Sequence, residues 1–345
     1  MNLNILWFLL IAVLYCGYFF LDGMDLGVGM LFPVLGKKDK DKALMLRAIG
    51  PTWGASEVWL LTAGGATFAA FPGWYASMFS GFYPALFLLL LGLIARGIGV
   101  EYWGKAATAA GKKLASVCIT VGSLLPPLLL ACALANIVQG IPIDASQNYT
   151  GTLFTLFTPF TLAAALGSVA FFLYHGAVFT DLKAKGDITG TMPVIKATGL
   201  AAIVLAAAAA VFALLQTDVF TKPVAAVAAV AGIVLLIVSY LVTIKKPTRL
   251  SMILNALVIA CGIGTVFGGL FPNVMISSTD PANSLTIYNT ASTPYTLTIM
   301  LTVTISVLPI VLLYTIWSHW SFRKLRDDKS SENQGDNGER EEAVY

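Results

Sequence analysis

Charged side chains are scarce in this chain: Asp, Glu, Lys and Arg together make up 11% of its 345 residues. A soluble domain carries about 25%, so a polar shell large enough to keep a globule in water is excluded. Histidine occurs only at His175 and His319, and cysteine only at Cys16, Cys118, Cys132 and Cys261. The cysteines lie singly in apolar blocks without a C-x-x-C pair, which argues against a disulfide framework or a thiolate metal site and predicts small buried hydrophobes. With His319 at the end of the last apolar block, and no Met at a matching depth, a bis-histidine haem site has no second ligand. The chain is therefore expected to hold no haem, no metal and no catalytic centre of its own. A nucleotide-binding loop, a soluble domain and a nucleic-acid surface are also missing.

What is present is apolar: 57% of residues are hydrophobic and 31 are glycine. The apolar residues fall into blocks of the roughly 20 residues that cross a hydrocarbon core of about 30 Å. Small residues suit close helix packing in lipid. Blocks bounded by charge, Pro and Gly predict nine spans, at 4–32, 50–72, 74–101, 113–140, 158–182, 192–216, 222–244, 249–271 and 291–320. The first block runs through Asp22-Gly23-Met24-Asp25 without a small-residue cleavage site and reads as a span rather than a cleaved leader.

Basic residues orient the spans, because cytoplasmic loops hold the excess of Lys and Arg. With nine spans, 20 of the 21 basic residues fall on one side and Lys222 alone on the other. A miscounted span would scramble this sorting. The N-terminus is therefore expected outside and the C-terminus in the cytoplasm. Loops 141–157 and 272–290 are then outer loops. Trp7, Trp74 and Tyr295 mark the outer interface, and Trp103 and Trp317 the inner one. Residues 321–345 are charged and lack apolar periodicity, which predicts a disordered cytoplasmic tail after a single transmembrane domain over 1–320. An echo of Phe19-Phe20-Leu21-Asp22-Gly23 in Phe171-Phe172-Leu173-Tyr174-His175-Gly176 hints at two related four-helix units, 1–140 and 158–271, followed by a ninth helix at 291–320.

Ionisable groups inside a membrane are costly and are functional candidates by default. They number five: Asp22 and Asp25 in the first span, Glu57 in the second, Arg96 in the third and His175 in the fifth. At 1.5 Å per residue, Asp22 and His175 lie roughly 26–27 Å from the outer ends of their helices, and Glu57 about 10 Å from its inner end. Arg96 lies at or near the inner edge. The titratable groups thus gather in the cytoplasmic third. Asp22 and Asp25, at i and i+3, share a helix face. With Ser56, Thr62 and waters between them, these groups could carry protons inward. The plain alternative is that they pair with one another and hold the bundle together. That reading is preferred for Arg96 as a charge partner, whereas short side chains such as Asp25 and Glu57 cannot snorkel to the interface. His175 reads equally as a packing residue, and Glu101 as a solvated end charge. Gly23, Gly27 and Gly29 would let another helix or another subunit approach.

The stretches LDGMDLGVGMLFP (21–33), IGPTWGASEVWLLTAGGATFAAFPGWYASMFSGFY (49–83), LIARGIGVEY (93–102), FFLYHGAVF (171–179) and the long block 277–324 resemble subunit II of the cytochrome bd quinol oxidases. The resemblance extends from the first span to the last. It implies an all-α integral membrane protein of about nine helices, arranged as two four-helix bundles plus one peripheral helix, in a bacterial or archaeal cell membrane. It also implies a heterodimer with a haem-bearing subunit I, which oxidises quinol and reduces oxygen to water with protons drawn electrogenically from the cytoplasm. The haems, b and d or b alone, belong to that partner. A small single-helix accessory subunit, bound lipid and a quinone in this subunit stay open. By position, Asp25 matches the family's candidate proton-handling aspartate, and Asp22, Glu57 and Arg96 match commonly polar sites. Two departures stand out: Gly54 replaces an Asp usual after the tryptophan, and Ser56 replaces an Asn. A proton route here would have to use Asp25 and Glu57. Two other readings are a proton-coupled secondary transporter and a purely structural subunit. Transporters place their sites near the midplane, and these charges sit off-centre.

Overall fold

In the computed structural model the chain is described over residues 2–332, with side chains through residue 317. The first helix, α1 (Leu3–Leu35), starts at Asn2, whose side chain accepts from the Asn4 amide. Its 33 residues give about 50 Å, longer than the hydrocarbon core. The basic segment that follows is helical as well: α2 (Asp39–Ile49) has Asp39 and Asp41 in its first turn and Arg47 in its last, an order the helix dipole favours.

The third predicted span, 74–101, is two helices. After α3 (Trp53–Ala70), the chain forms α4 (Pro72–Gly81), breaks at Phe82 and restarts as α5 (Tyr83–Trp103). Pro72 and Pro84 sit in the first turns of α4 and α5. A proline lacks the N–H that a preceding turn would use but suits a helix start. The remaining helices are α6 (Ala109–Gln139), α7 (Pro159–Ala184), α8 (Thr191–Gln216), α9 (Pro223–Thr243), α10 (Arg249–Leu270) and α11 (Pro294–Glu332). Thr108, Thr158 and Thr248 cap α6, α7 and α10 through their hydroxyls, satisfying amides that a helix start leaves open.

Eight described helices are long and apolar enough to cross a membrane: α1, α5 to α10, and α11 through Trp317. The block predicted as the second span becomes α3, which is only 18 residues long and is not among the eight. Glu57, Ser56, Thr62 and three glycines lower its apolar content.

Within residues 1–293, α5/α6, α7/α8 and α9/α10 form hairpins, and α1 runs between α3, α6 and α7 and touches α10. The α1–α7 crossing is close because Gly27 faces Gly176: a Cβ on either would run into the other's backbone. The approach allowed by the glycines of α1 is therefore taken by a helix of the same chain. Opposite the Lys-rich loops, segments 141–157 and 272–290 fold into a cap. It contains β1 (Asn273–Met275) paired antiparallel with β2 (Leu285–Thr286), and bridges Ile141–Ser277 and Ile143–Tyr149.

Taken by itself, α11 is one 39-residue helix with Pro309 inside. Thr298, Thr302 and Ser306 donate back to carbonyls one turn earlier. The helix runs past position 320, where the charged tail was predicted to begin, and the rest of that tail (333–345) lies outside the described residues.

Candidate functional site

The side chain that organises the site is Arg96 of α5, which is 1% exposed. Its position follows from the α5–α6 crossing, where a Cβ on Gly122 would meet the Gly92 carbonyl and the Arg96 backbone. That close approach turns the guanidinium toward α1 and α3. Arg96 Nη2 donates to Asp22 Oδ1 at 2.7 Å and to Glu57 Oε1 at 2.6 Å, and Nε donates to Glu57 Oε1 at 3.2 Å. One guanidinium therefore ties α1, α3 and α5 together. A planar donor fork that stays charged is the side chain suited to such a buried bridge.

Asp25, 2% exposed, lies one turn further along α1. Its carboxyl feels the charges of Asp22, Arg96 and Glu57 and faces the Ser56 hydroxyl, which also donates to the Thr52 carbonyl at 3.0 Å. Three carboxyls thus share one cation, and Asp25 has none of its own. Tyr18 Oη, Asp22 Oδ2, Asp25 Oδ2, Arg96 Nη1 and Ser123 Oγ are buried atoms without a hydrogen-bond partner among the described residues. All five lie on α1, α5 or α6. The cluster sits about 15–20 Å along α1 from its Lys-rich end.

His175 is not part of this cluster. It lies on α7, stacked on Phe171 at 5.8 Å and tilted against Phe20 at 5.9 Å between ring centres. Asn255 Nδ2 lies 3.1 Å from its Nδ1, Ser239 Oγ donates to Asn255 Oδ1 at 2.6 Å, and Tyr174 Oη lies 3.0 Å from Ser239 Oγ and donates to Thr243 Oγ1 at 2.8 Å. All five residues are buried or nearly so, and they join α7, α9 and α10. Since Ser239 occupies the amide oxygen, Asn255 offers its N–H to the imidazole, which leaves the ring proton on Nε2. An amide does not relay protons as a hydroxyl or imidazole does, so this network is a lock between helices.

The sequence matches the family model described as cytochrome bd terminal oxidase subunit II over residues 3–322. It is 35% identical to the cytochrome bd ubiquinol oxidase subunit 2 of Bacillus subtilis, over 94% of this chain and 96% of that protein. It is 32% identical to the cytochrome bd-I ubiquinol oxidase subunit 2 of Escherichia coli K12, over 92% of this chain and 93% of that one. The chain belongs to the cytochrome bd terminal oxidase subunit II family. The fold agrees: a chain of the bd oxidase structure from Geobacillus thermodenitrificans superposes with a TM-score of 0.70 at 18% identity, covering 93% of this chain and 99% of the other.

As a bd oxidase subunit II, the chain is part of a quinol:oxygen oxidoreductase in a bacterial membrane, and the transporter reading falls away. Of the residues singled out from sequence, Asp22, Asp25, Ser56, Glu57 and Arg96 come together. Thr62 does not join them: it is exposed, and its hydroxyl donates to the Val58 carbonyl at 2.8 Å. Arg96 is fully enclosed rather than at an interface, because α1 and α3 fold over it. Glu101 is exposed and pairs loosely with Lys105 at 3.6 Å, as a solvated end charge does. The four cysteines are half-buried rather than fully buried. Among the described residues no group of three His, Cys, Asp or Glu side chains could hold a metal. Gly54 faces open space, with nothing within 4 Å of a Cβ placed there. Sequence reasoning missed the partners of His175, because Tyr174, Ser239, Thr243 and Asn255 are uncharged and far apart in the chain. An Asn inside an apolar block was the one signal available.

Proposed function

We propose that this bd oxidase subunit II both scaffolds a haem-bearing subunit I and delivers protons to it through Asp25 and Glu57. The observation that carries the proposal is the ratio of three carboxyls, two buried and one part-buried, to one guanidinium. Arg96 neutralises a single charge and bridges Asp22 and Glu57, so Asp25 can bind and release a proton without breaking that bridge. The unspent hydrogen-bonding capacity around Asp22, Asp25 and Ser123 supports the same reading, since a proton-conducting chain needs donors and acceptors that are not already committed. The cluster lies toward the loops rich in Lys and Arg, which are cytoplasmic by the positive-inside rule. On this reading protons enter from the cytoplasm while quinol is oxidised and oxygen reduced in the partner, and the plasma membrane is charged without pumping. Haem b, with haem d or alone, belongs to the partner subunit.

The test is Asp25→Asn in the assembled oxidase. Asparagine keeps the shape and removes the exchangeable proton. Oxygen consumption coupled to proton uptake is expected to fall by about tenfold or more, which corresponds to at least about 1.4 kcal/mol in the barrier. Unaltered turnover and charge movement would remove Asp25 from the mechanism, and loss of assembly would favour a purely structural role.

A further inference from the structure

Helix α2 and the residues leading into it carry more cationic charge than they can pair. Lys37, Lys38, Lys40, Lys42 and Arg47 stand against Asp39 and Asp41, and both aspartates are already engaged. Asp39 holds the Lys112 ammonium of α6 at 2.7 Å, and Asp41 accepts from the Lys38 amide at 3.1 Å. Lys42 folds back over the Phe32 ring, 5.5 Å from its centre. Among the described residues Lys37, Lys38, Lys40 and Arg47 are left without an acidic partner, and all four are exposed. Met45, Leu46 and Ile49 are the buried side of α2, which packs on α1 and α7. Lys40 and Arg47 share the opposite side, about 10 Å apart along the axis. Like charges gathered on one short helix repel, and an anion from outside the chain relieves that repulsion.

The adjoining apolar surface shows what kind of anion fits. Val34, three residues before Lys37 at the end of α1, is 50% exposed, and Leu114, directly after Lys112 and Lys113 at the start of α6, is 64% exposed. Val117 and Val121 continue the exposed stripe of α6 at helical spacing. The Lys112–Asp39 bond holds the start of α6 to the start of α2. On both sides of that bond an aliphatic surface gives way to a cationic one within a turn. A free anion makes no use of the aliphatic edge, and an acidic protein would meet the lysines alone. A phospholipid has both parts, and basic clusters beside a membrane span attract anionic lipid.

We infer that the basic face of α2, with Lys113 of α6, binds the headgroup of an anionic phospholipid whose acyl chains lie along Val34 and Leu114. The lipid belongs to the leaflet on the Lys-rich side, which is cytoplasmic by the positive-inside rule. Binding there fastens α2, the segment that joins α1 to α3, at the membrane surface. The site uses none of the residues of the Asp25–Glu57 cluster, so it stands whether or not protons pass through this chain.

The experiment uses the assembled oxidase, delipidated in detergent and titrated with phosphatidylglycerol, with phosphatidylcholine as the neutral comparison. Bound lipid is counted by native mass spectrometry. Phosphatidylglycerol is expected to bind at least about fivefold more tightly than phosphatidylcholine. Lys37→Gln, Lys38→Gln and Lys40→Gln together are expected to abolish that preference. The three corresponding Lys→Arg exchanges keep the charge and should retain it. All three side chains are exposed, so both triple variants are expected to assemble as the parent does. Lys245→Gln, Lys246→Gln and Arg249→Gln remove three charges from another loop on the same side. They are expected to change phosphatidylglycerol binding by less than about twofold, since exposed charges are screened over a Debye length. Inorganic phosphate in large excess should not displace the lipid. Equal loss in the two glutamine triples would show general surface potential only, and displacement by phosphate would show a free-anion site. Either result, or equal affinity for the two lipids, would overturn the assignment.

Discussion

At the scale of single residues, Arg96 is the group on which most depends. Burying three charges costs desolvation energy that their attraction only partly returns, and removing one member of such a set leaves the others exposed to the full penalty. Arg96→Leu is expected to destabilise the chain by about 3–5 kcal/mol, measured as loss of thermal or denaturant stability in detergent. The neutral triple variant Asp22→Asn, Glu57→Gln, Arg96→Met should recover most of that loss, because no charge is then stranded. If the triple variant were as unstable as the single one, packing rather than charge balance would be the cause. The His175 network makes a different prediction. Asn255→Leu strands the His175 ring nitrogen, at about 1–3 kcal/mol, and leaves the Ser239 hydroxyl only its Tyr174 partner. Stability should fall while proton-coupled turnover of whatever assembles is unchanged. Altered turnover per assembled complex would show that His175 does more than lock α7 to α10.

At the scale of elements, the amphipathic α2 shows how a loop rich in charge becomes ordered. The ammonium of Lys112, in the first turns of α6, lies 2.7 Å from Asp39 and 5.0 Å from the centre of the Trp103 ring. Its hydrogen bond holds the Asp39 carboxyl below the ordinary aspartate range. A group whose folded-state pKa is depressed stabilises the fold above its unfolded pKa and loses that contribution as the pH falls through the folded one. Protection of α2 amides from hydrogen exchange should therefore decrease below about pH 4 and also with added salt, since the pair is exposed. Asp39→Asn should start from the weaker protection and lose the part of the acid dependence that Asp39 contributes. An identical pH profile in the variant would mean that Lys112 does not tether α2. The restart of the chain at Pro84 belongs to the same scale: an unbroken apolar block hid a helix boundary that one proline determines.

At the scale of the whole molecule, the chain reads as one partner of an assembly. Its charged cluster opens on α3 rather than into an enclosed substrate site, and His175 has its Nδ1 engaged by Asn255. Purified alone, it is expected to carry no haem absorbance, read as a Soret band per mole of chain. A stoichiometric band would show that it ligates haem itself.

How much of this was legible without coordinates differs by residue. The membrane class, the alternation of basic loops and the candidates Asp25, Glu57 and Arg96 were readable because lipid imposes one-dimensional rules: blocks of set length, few charges, and basic residues on one side. The separation of His175 from Asp25 was not readable. Both lie at similar depth on helices that meet at Gly27 and Gly176, yet Asp25 faces Ser56 and His175 faces Asn255. Whether Arg96 chose Asp22, Asp25 or Glu57 was likewise open, since i, i+3 spacing presents both aspartates. Composition and order of residues by themselves determined that the chain crosses a membrane and which groups inside it are costly to bury. Tertiary structure alone decided which costly groups meet, because a hydrogen bond forms over about 3 Å and the approach of two helices cannot be read along either one.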